Sequence, residues 1–266
     1  MLKKRVIFTL LHDKGSFVLS RNFRLQKVGS IDWLKRNYNF DKISFFIDEL
    51  VILDVTRTGK DIEQFSGIVR EISRRVFVPL AAGGGVDSVQ NAQKLLRSGA
   101  DKIVVNTNLS CNGTAVPGLV SEFGSQCIVA AVDAKKESEV YRVYSENGSR
   151  LEEPFLGRHL ESVADLGVGE IYLNSIERDG TGMGYDFGML EELPVGFNLP
   201  VILAGGVGNE SHLASGLADL RVDAVATAHL FNFVGDGLRR AREKLVERGY
   251  KLAKWPNIDE ITGLVV

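Results

Sequence analysis

The chain has 266 residues, of which 44% are hydrophobic and 25% charged, and its formal net charge is −2. That length gives one globular domain, or two small ones, with ample core, and the near-neutral balance lacks the basic surplus of a general nucleic-acid or membrane-surface binder. The two cysteines, Cys111 and Cys127, stand in neither a CxxC nor a CxxH spacing, so both are expected as small buried hydrophobes in a reducing compartment rather than as a disulfide framework.

The basic start, Lys3-Lys4-Arg5, precedes an apolar run at 6–11. The run is too short for a secretory leader and ends in His12-Asp13-Lys14-Gly15 without a small-residue cleavage site. No run is long enough to span a bilayer, and a cytoplasmic location is expected. Further short apolar runs follow at 50–55, 78–82, 102–105, 128–132, 171–173, 201–204 and 224–226, with amphipathic stretches at 61–74, 88–98, 159–166 and 235–248 between or after them. Eight strands alternating with helices predict a single (β/α)8 barrel over 1–266, with an open doubly wound sheet as the alternative.

The chain also repeats itself. Glu49 and Glu170, Pro79 and Pro200, and Gly84-Gly85-Val86 and Gly205-Gly206-Val207 each lie 121 residues apart, and Asp101 and Asp223 lie 122 apart. The offset divides the chain into half-barrels of about 1–123 and 124–248, with a C-terminal tail at 249–266. Half-barrels cannot close their own sheet edges, so both are expected in one barrel. The tail carries Trp255 and is expected to pack on the barrel exterior or on a partner.

Candidate chemistry centres on 171–186, IYLNSIERDGTGMGYD, where a buried strand runs into Glu177, Arg178 and Asp179 and a glycine-rich loop. Such a strand delivers carboxylates to one end of a sheet, and such a loop lets backbone N–H groups approach an anion. The repeat doubles the design. Gly83-Gly84-Gly85 and Asn106-Thr107 end strands three and four, while Gly205-Gly206 and Thr227-Ala228-His229 end strands seven and eight. Glycines and small hydroxyl residues at strand ends, ahead of helix N-termini, suit phosphate oxygens. One such cluster would be read as tight turns. Two related by the repeat predict a small-molecule ligand with a phosphate at each end, with Asp179, Gly180 and Thr181 counted among the phosphate-binding residues. No His/Cys/Asp spacing suggests a metal site, and no cofactor is expected.

These motifs resemble the cyclase subunit of imidazole glycerol phosphate synthase. The matching stretches are KRV at 4–6, DELVILD at 48–54, GGGV at 83–86, GADKIVVNT at 99–107, FGSQCIVAAVDAK at 123–135, GVGEIYLNSIERDGTGMGYD at 167–186 and LPVILAGGVG at 199–208. DAK, RDGT-x-x-GYD and GADK together are not generic barrel features. The resemblance implies a (β/α)8 barrel that takes ammonia from a class I glutaminase docked on its strand-start face. At the strand-end face that ammonia would react with a ribulosyl intermediate bearing two phosphates. The implied products are imidazole glycerol phosphate and an aminoimidazole carboxamide ribotide, on the path to histidine.

The carry-over of residues is uneven. The family's paired catalytic carboxylates end strands one and five. Asp133 supplies the second, but where the family reads C-L-D-V-K-D-G this chain reads Thr9-Leu10-Leu11-His12-Asp13-Lys14-Gly15, with Leu11 in the aspartate slot. Leucine cannot transfer a proton. Asp13 shares the facing of position 11 by strand alternation and is the candidate replacement; His12 is another, although a loop histidine is its plainer reading. Leu19 stands where a lysine is usual, and Phe8 replaces a small residue.

At the opposite face, Arg5, Glu49, Lys102 and Glu170 begin strands one, two, four and six and match the family's charged ring at the barrel entrance. Two cations and two anions there can neutralise one another around a pore. Charges at this face can also merely stabilise a barrel; the fourfold match favours an ammonia gate. Asp101, beside Lys102, is a candidate glutaminase contact. His159 and His212 are expected at the surface, and the imidazole of His229 is expected to be incidental to its cluster.

The Leu-Leu start and the S-E-N-G stretch at 145–148 also resemble paralogues associated with surface-polysaccharide clusters. There, nitrogen added to a sugar N-acetyl group gives an acetamidino group, and a third, synthetase protein takes part. The chain is therefore expected to be an ammonia-channelling synthase subunit of this specialised kind. The alternatives are orthodox imidazole glycerol phosphate synthesis and a non-catalytic ammonia conduit.

Overall fold

The structure is a computed structural model that describes residues 3–38, 40–109, 115–229 and 236–253. Its frame is eight parallel strands: β1 (Arg5–Asp13), β2 (Glu49–Asp54), β3 (Leu80–Gly83), β4 (Lys102–Val105), β5 (Ile128–Glu137), β6 (Glu170–Ser175), β7 (Val201–Ala204) and β8 (Ala224–Thr227). They read as near-continuous apolar runs because both faces of a parallel sheet are covered. Each pairs with the next, and Ile7 of β1 lies opposite Ala226 of β8, so the sheet closes on itself. The expected single (β/α)8 barrel is the observed fold, and the open sheet is excluded by that last pairing.

Helices α1 (Ile31–Asn37), α2 (Phe40–Ile43), α3 (Ile62–Ser73), α4 (Val89–Arg97), α5 (Ala115–Phe123), α6 (Leu156–Asp165), α7 (Glu210–Ala218) and α8 (Gly237–Glu247) are the α-helices among the described residues. Side-chain caps start three of them. Asp61 accepts the N–H groups of Glu63 and Gln64 at 3.0 Å, Ser88 accepts that of Asn91, and Asn209 those of Ser211 and His212. Among the described residues no helix is long and apolar enough to cross a membrane.

Alternation along each strand sorts side chains into two shells. On β1, Val6, Phe8 and Leu10 pack outward under the helices, whereas Ile7 joins an inner cluster with Val51, Val104, Val129 and Ile202. Phe8 therefore sits away from the bore, its ring 5.6 Å from that of Tyr38. Arg242 of α8 ties the last helix to the start of β2 through Asp48, with N···O distances of 2.7 and 3.0 Å, and reaches the carbonyl of Ala253 at 2.7 Å.

Two hairpin excursions rise from the strand-end face. β1 turns at Lys14-Gly15 into a strand Ser16–Arg21, which turns at Asn22-Phe23 into Arg24–Gly29. β5 continues into Val140–Ser145 and Arg150–Glu153 around Glu146-Asn147-Gly148. The φ values of +49° and +61° at Asn22-Phe23, and +50° and +58° at Glu146-Asn147, are those of primed turns, whose twist matches the flanking strands. The S-E-N-G stretch is thus a hairpin tip. The two tips meet, since a Cβ on Gly148 would press on the Phe23 ring.

Three expectations are corrected. His12 is not a loop residue but lies within β1, 2% exposed, because the hairpin prolongs that strand beyond its apolar run. His159 is buried under α6 rather than at the surface. Cys127 is half-buried at the start of β5, with its thiol 3.5 Å from the Asp101 carbonyl, rather than a core residue. Cys111, Trp255 and the rest of the tail from 254 lie outside the described residues.

Candidate active site

A cavity of about 550 Å³ opens at the strand-end face, a size that suits a small-molecule ligand. One wall is polar. Asp133, at an inward position of β5, accepts the side-chain amides of Asn106 (3.0 Å) and Asn174 (2.8 Å) on the flanking strands β4 and β6. Burial pushes its carboxyl up to about 6, helped by the nearby Asp179 charge and opposed by the two amide bonds. A carboxyl with that value is largely ionised at neutral pH and near enough to it to exchange protons as a general base.

The facing wall is apolar, formed by Leu11, Leu19, Phe23, Leu25 and Leu53. Leu11 is 8% exposed and points into the cavity, as expected of an inward position on β1. The candidate replacements for an acid at that place are not brought to it. Asp13 lies outside this lining, in a separate shallow groove with Lys14, Arg24 and Thr58, because β1 has by then left the barrel wall and Asp13 pairs with Ser16 in the hairpin. His12 faces outward between Phe17 and Phe65. Its Nε2 accepts the Gly15 N–H at 3.0 Å, and its Nδ1 lies 3.6 Å from the Asp54 carboxylate.

Of the expected phosphate-binding residues, Gly84, Gly85, Asn106, Thr107, Asp179, Gly180, Gly205, Gly206, Ala228 and His229 line this one cavity. Gly83 and Thr181 do not. Gly83 ends β3 with its α-carbon against Val104, and the Thr181 hydroxyl donates to the Arg178 carbonyl at 2.7 Å. The two glycine pairs share one geometry, φ +105° and +83° at Gly84-Gly85 and +89° and +102° at Gly205-Gly206. A side chain on Gly84 would collide with the Asp54 carbonyl, and one on Gly206 with that of Gly184. Each pair precedes a capped helix, α4 or α7, whose first N–H groups favour anions.

Asp179 is placed differently from a phosphate ligand. Its carboxylate accepts the Ser20 hydroxyl and the Phe23 N–H (3.1 Å), and its carbonyl accepts the Asn22 N–H (2.9 Å). It latches the first hairpin over the cavity, and its charge would repel a phosphate. Burial raises its carboxyl, against the bonds from Ser20 and Phe23 and the proximity of His229.

Sequence reasoning missed four contributors. Asn174 and Tyr172 follow from counting by twos from Glu170. Arg57 and Lys60, on the loop after β2, are cations at the cavity and carried no motif. Burial lowers the Lys60 ammonium, partly offset by Asp54, whose carbonyl accepts its Nζ at 3.1 Å. Among the described residues no group of three or more His, Cys, Asp or Glu is placed to hold a metal ion.

At the strand-start face the four expected charges form one closed ring. Arg5 bonds Glu49 (3.0 Å) and Glu170, and Lys102 bonds Glu49 (3.0 Å) and Glu170 (3.1 Å). Burial raises the Glu49 carboxyl, although Lys102 and Arg5 pull it down. Asp101 is exposed, and its Oδ2 accepts the Leu80 N–H at 2.8 Å.

Comparison with known proteins agrees with this geometry. A family model described as histidine biosynthesis protein matches residues 34–235. The chain is 43% identical over 258 residues to a provisionally named imidazole glycerol phosphate synthase subunit hisF2 of Parasynechococcus marenigrum, covering 96% of each chain. It is 38% identical over 253 residues to the imidazole glycerol phosphate synthase subunit HisF of Chlorobium phaeobacteroides, covering 95% of this chain and 99% of that one. A HisF subunit of Chlorobaculum tepidum is 38% identical over 250 residues, or 94% and 98% of the two chains. With the closed barrel, the paired glycine turns and full-length similarity in agreement, the chain belongs to the histidine biosynthesis protein family, in its HisF branch.

Proposed function

We propose that this chain is the ammonia-accepting synthase subunit of a glutamine amidotransferase, with a class I glutaminase on its strand-start face. Ammonia passes the Arg5–Glu49–Lys102–Glu170 ring and reaches the strand-end cavity, where the glycine cradles at 84–85 and 205–206 hold a phosphorylated acceptor. Asp133, ionised above about pH 6 and oriented by Asn106 and Asn174, takes the proton that nitrogen loses as it bonds to the acceptor carbon.

The observation that carries the reading is the combination of a complete charged ring with a leucine-lined wall opposite Asp133. Orthodox cyclisation in the resembled family uses acids on both walls, and Leu11 supports a specialised acceptor instead. The favoured one is an N-acetylated sugar of a surface polysaccharide, activated by a third, synthetase protein and converted to an acetamidino group. Its methyl would pack on Leu11, Leu19 and Leu25. The identities of 43% to the hisF2 protein and 38% to the two HisF subunits are consistent with both this reading and the orthodox one. Orthodox cyclase activity is the second reading, favoured by the two cradles, which suit a ligand with a phosphate at each end.

Complementation of a cyclase-deficient histidine auxotroph separates the two readings, with failure expected. Co-purification with a class I glutaminase from the same organism tests the partner. In that complex Lys102→Ala is expected to raise the ratio of glutamate to aminated product, and an unchanged ratio would refute the gate.

A further inference from the structure

Between the charged ring and the cavity, the bore is lined by apolar side chains such as Val51, Val129 and Ile202, and a polar pair crosses it. The hydroxyls of Thr9 on β1 and Tyr172 on β6 lie 3.0 Å apart, on residues 1% and 6% exposed. β1 and β6 are not neighbours, since β7 and β8 separate them along the sheet. Their contact therefore spans the barrel interior. Both residues also line the floor of the strand-end cavity, below Asp133.

We infer that the Thr9–Tyr172 hydroxyl pair is the point at which ammonia is handed from the bore to the cavity, an inference that rests on the channel reading above. Burial holds the Tyr172 phenol well above its ordinary pKa, so the O–H keeps its proton. Neutral Tyr and Thr hydroxyls each donate one hydrogen bond and accept others. Ammonia has a lone pair to take an O–H and N–H groups to offer the other oxygen. Ammonium has donors only and a charge that the apolar lining cannot balance. Ammonia can thus replace the mutual bond of the pair without leaving a buried hydroxyl unpaired, whereas ammonium cannot use the donor. The pair is a positioning device that selects the nucleophilic form and aims it at the polar wall; it forms no covalent bond and takes no proton.

One test needs no acceptor. Full-length protein labelled with ¹³C at tyrosine Cζ is titrated with ammonium chloride at alkaline pH, with sodium chloride as control. The Tyr172 resonance, identified by its loss in Tyr172→Phe, is expected to shift with ammonium chloride alone. A resonance that moves no more than in the control overturns the inference. The second test uses the complex with its glutaminase. Tyr172→Phe and Thr9→Val, close in shape to the originals, are each expected to lower the ratio of glutamine-fed to ammonium-fed amination about 3–10-fold, the worth of one buried hydrogen bond. If both rates fall together, the hydroxyls serve the fold or the chemistry, and the hand-over is wrong. If the wild type couples and the variants keep its ratio, the hand-over alone fails. If the wild-type complex releases its ammonia to solvent, the channel reading fails and takes the hand-over with it.

Discussion

The two ends of the barrel treat charge in opposite ways. At the strand-start end every ring charge has its counter-charge, and three aspartates at equivalent positions cap a neighbouring strand: Asp48 accepts the Val6 N–H, Asp101 that of Leu80 and Asp223 that of Val201. Charge there is spent on the protein itself. At the strand-end face, Asp133 is held by neutral amides, opposite leucines, and among the described residues its charge has no cationic partner in contact. On the proposed function, a buried carboxylate either completes a structure or is kept in a costly state for chemistry, and its partners suggest which.

Mutations that remove a carboxylate or its partner at each end should therefore act with opposite sign. Asp48→Ala strands the Arg242 guanidinium and removes a strand cap, and is expected to cost about 3–5 kcal/mol in urea unfolding. A cost below about 1 kcal/mol would mean that this end is not held by its pairs. Lys102→Ala leaves Glu49 and Glu170 sharing Arg5 and is expected to cost about 1–3 kcal/mol at neutral pH. The Glu49 carboxyl is already raised in the fold, so ionising it lowers stability as pH rises. The variant should regain stability as pH falls through the carboxylate range, which thermal unfolding across pH would show.

Asp133→Asn should do the reverse. With a folded value of about 6, well above an ordinary carboxyl, the unfolded chain ionises first as pH rises. Stability contributed by the neutral form is complete below about pH 4 and is lost between about pH 4 and 6. The variant should be more stable than wild type at pH 7 by about 2–3 kcal/mol, equal to it in acid, and inactive in amination. Destabilisation at pH 7 would place Asp133 with the structural carboxylates. The smallest effect is expected for Asp179→Ala, which unlatches the first hairpin. Global stability should fall by about 1 kcal/mol, and amide hydrogen exchange should speed up over 16–29 while the barrel strands stay protected.

The strand-start end was legible in the sequence and much of the strand-end face was not. The ring residues open their strands, and counting by twos from Arg5 gives Ile7, Thr9 and Leu11 their inward facing without any knowledge of packing. The same count failed at Asp13, where hairpin pairing takes over from the barrel. Of the two hairpin tips, Asn147-Gly148 is a recognisable turn signal, but Asn22-Phe23 is not, since an aromatic residue with positive φ is held there by the Asp179 latch and not by its own preference. Asp179 carried a loop motif, but its contacts lie some 160 positions away in sequence, at Ser20 and Phe23.

The most direct measurement is formation of imidazole glycerol phosphate from the ribulosyl bisphosphate intermediate and free ammonia by the purified barrel, wild type against Leu11→Asp. Free ammonia removes the glutaminase and the bore from the comparison and leaves the cavity's acid–base groups. Loss of one of two such groups costs about 10²–10⁴-fold, so wild-type turnover should be at or near background and Leu11→Asp should raise it. Wild-type turnover at the rate of a HisF subunit that carries both carboxylates would contradict the assignment of Leu11 as the residue that sets this barrel apart.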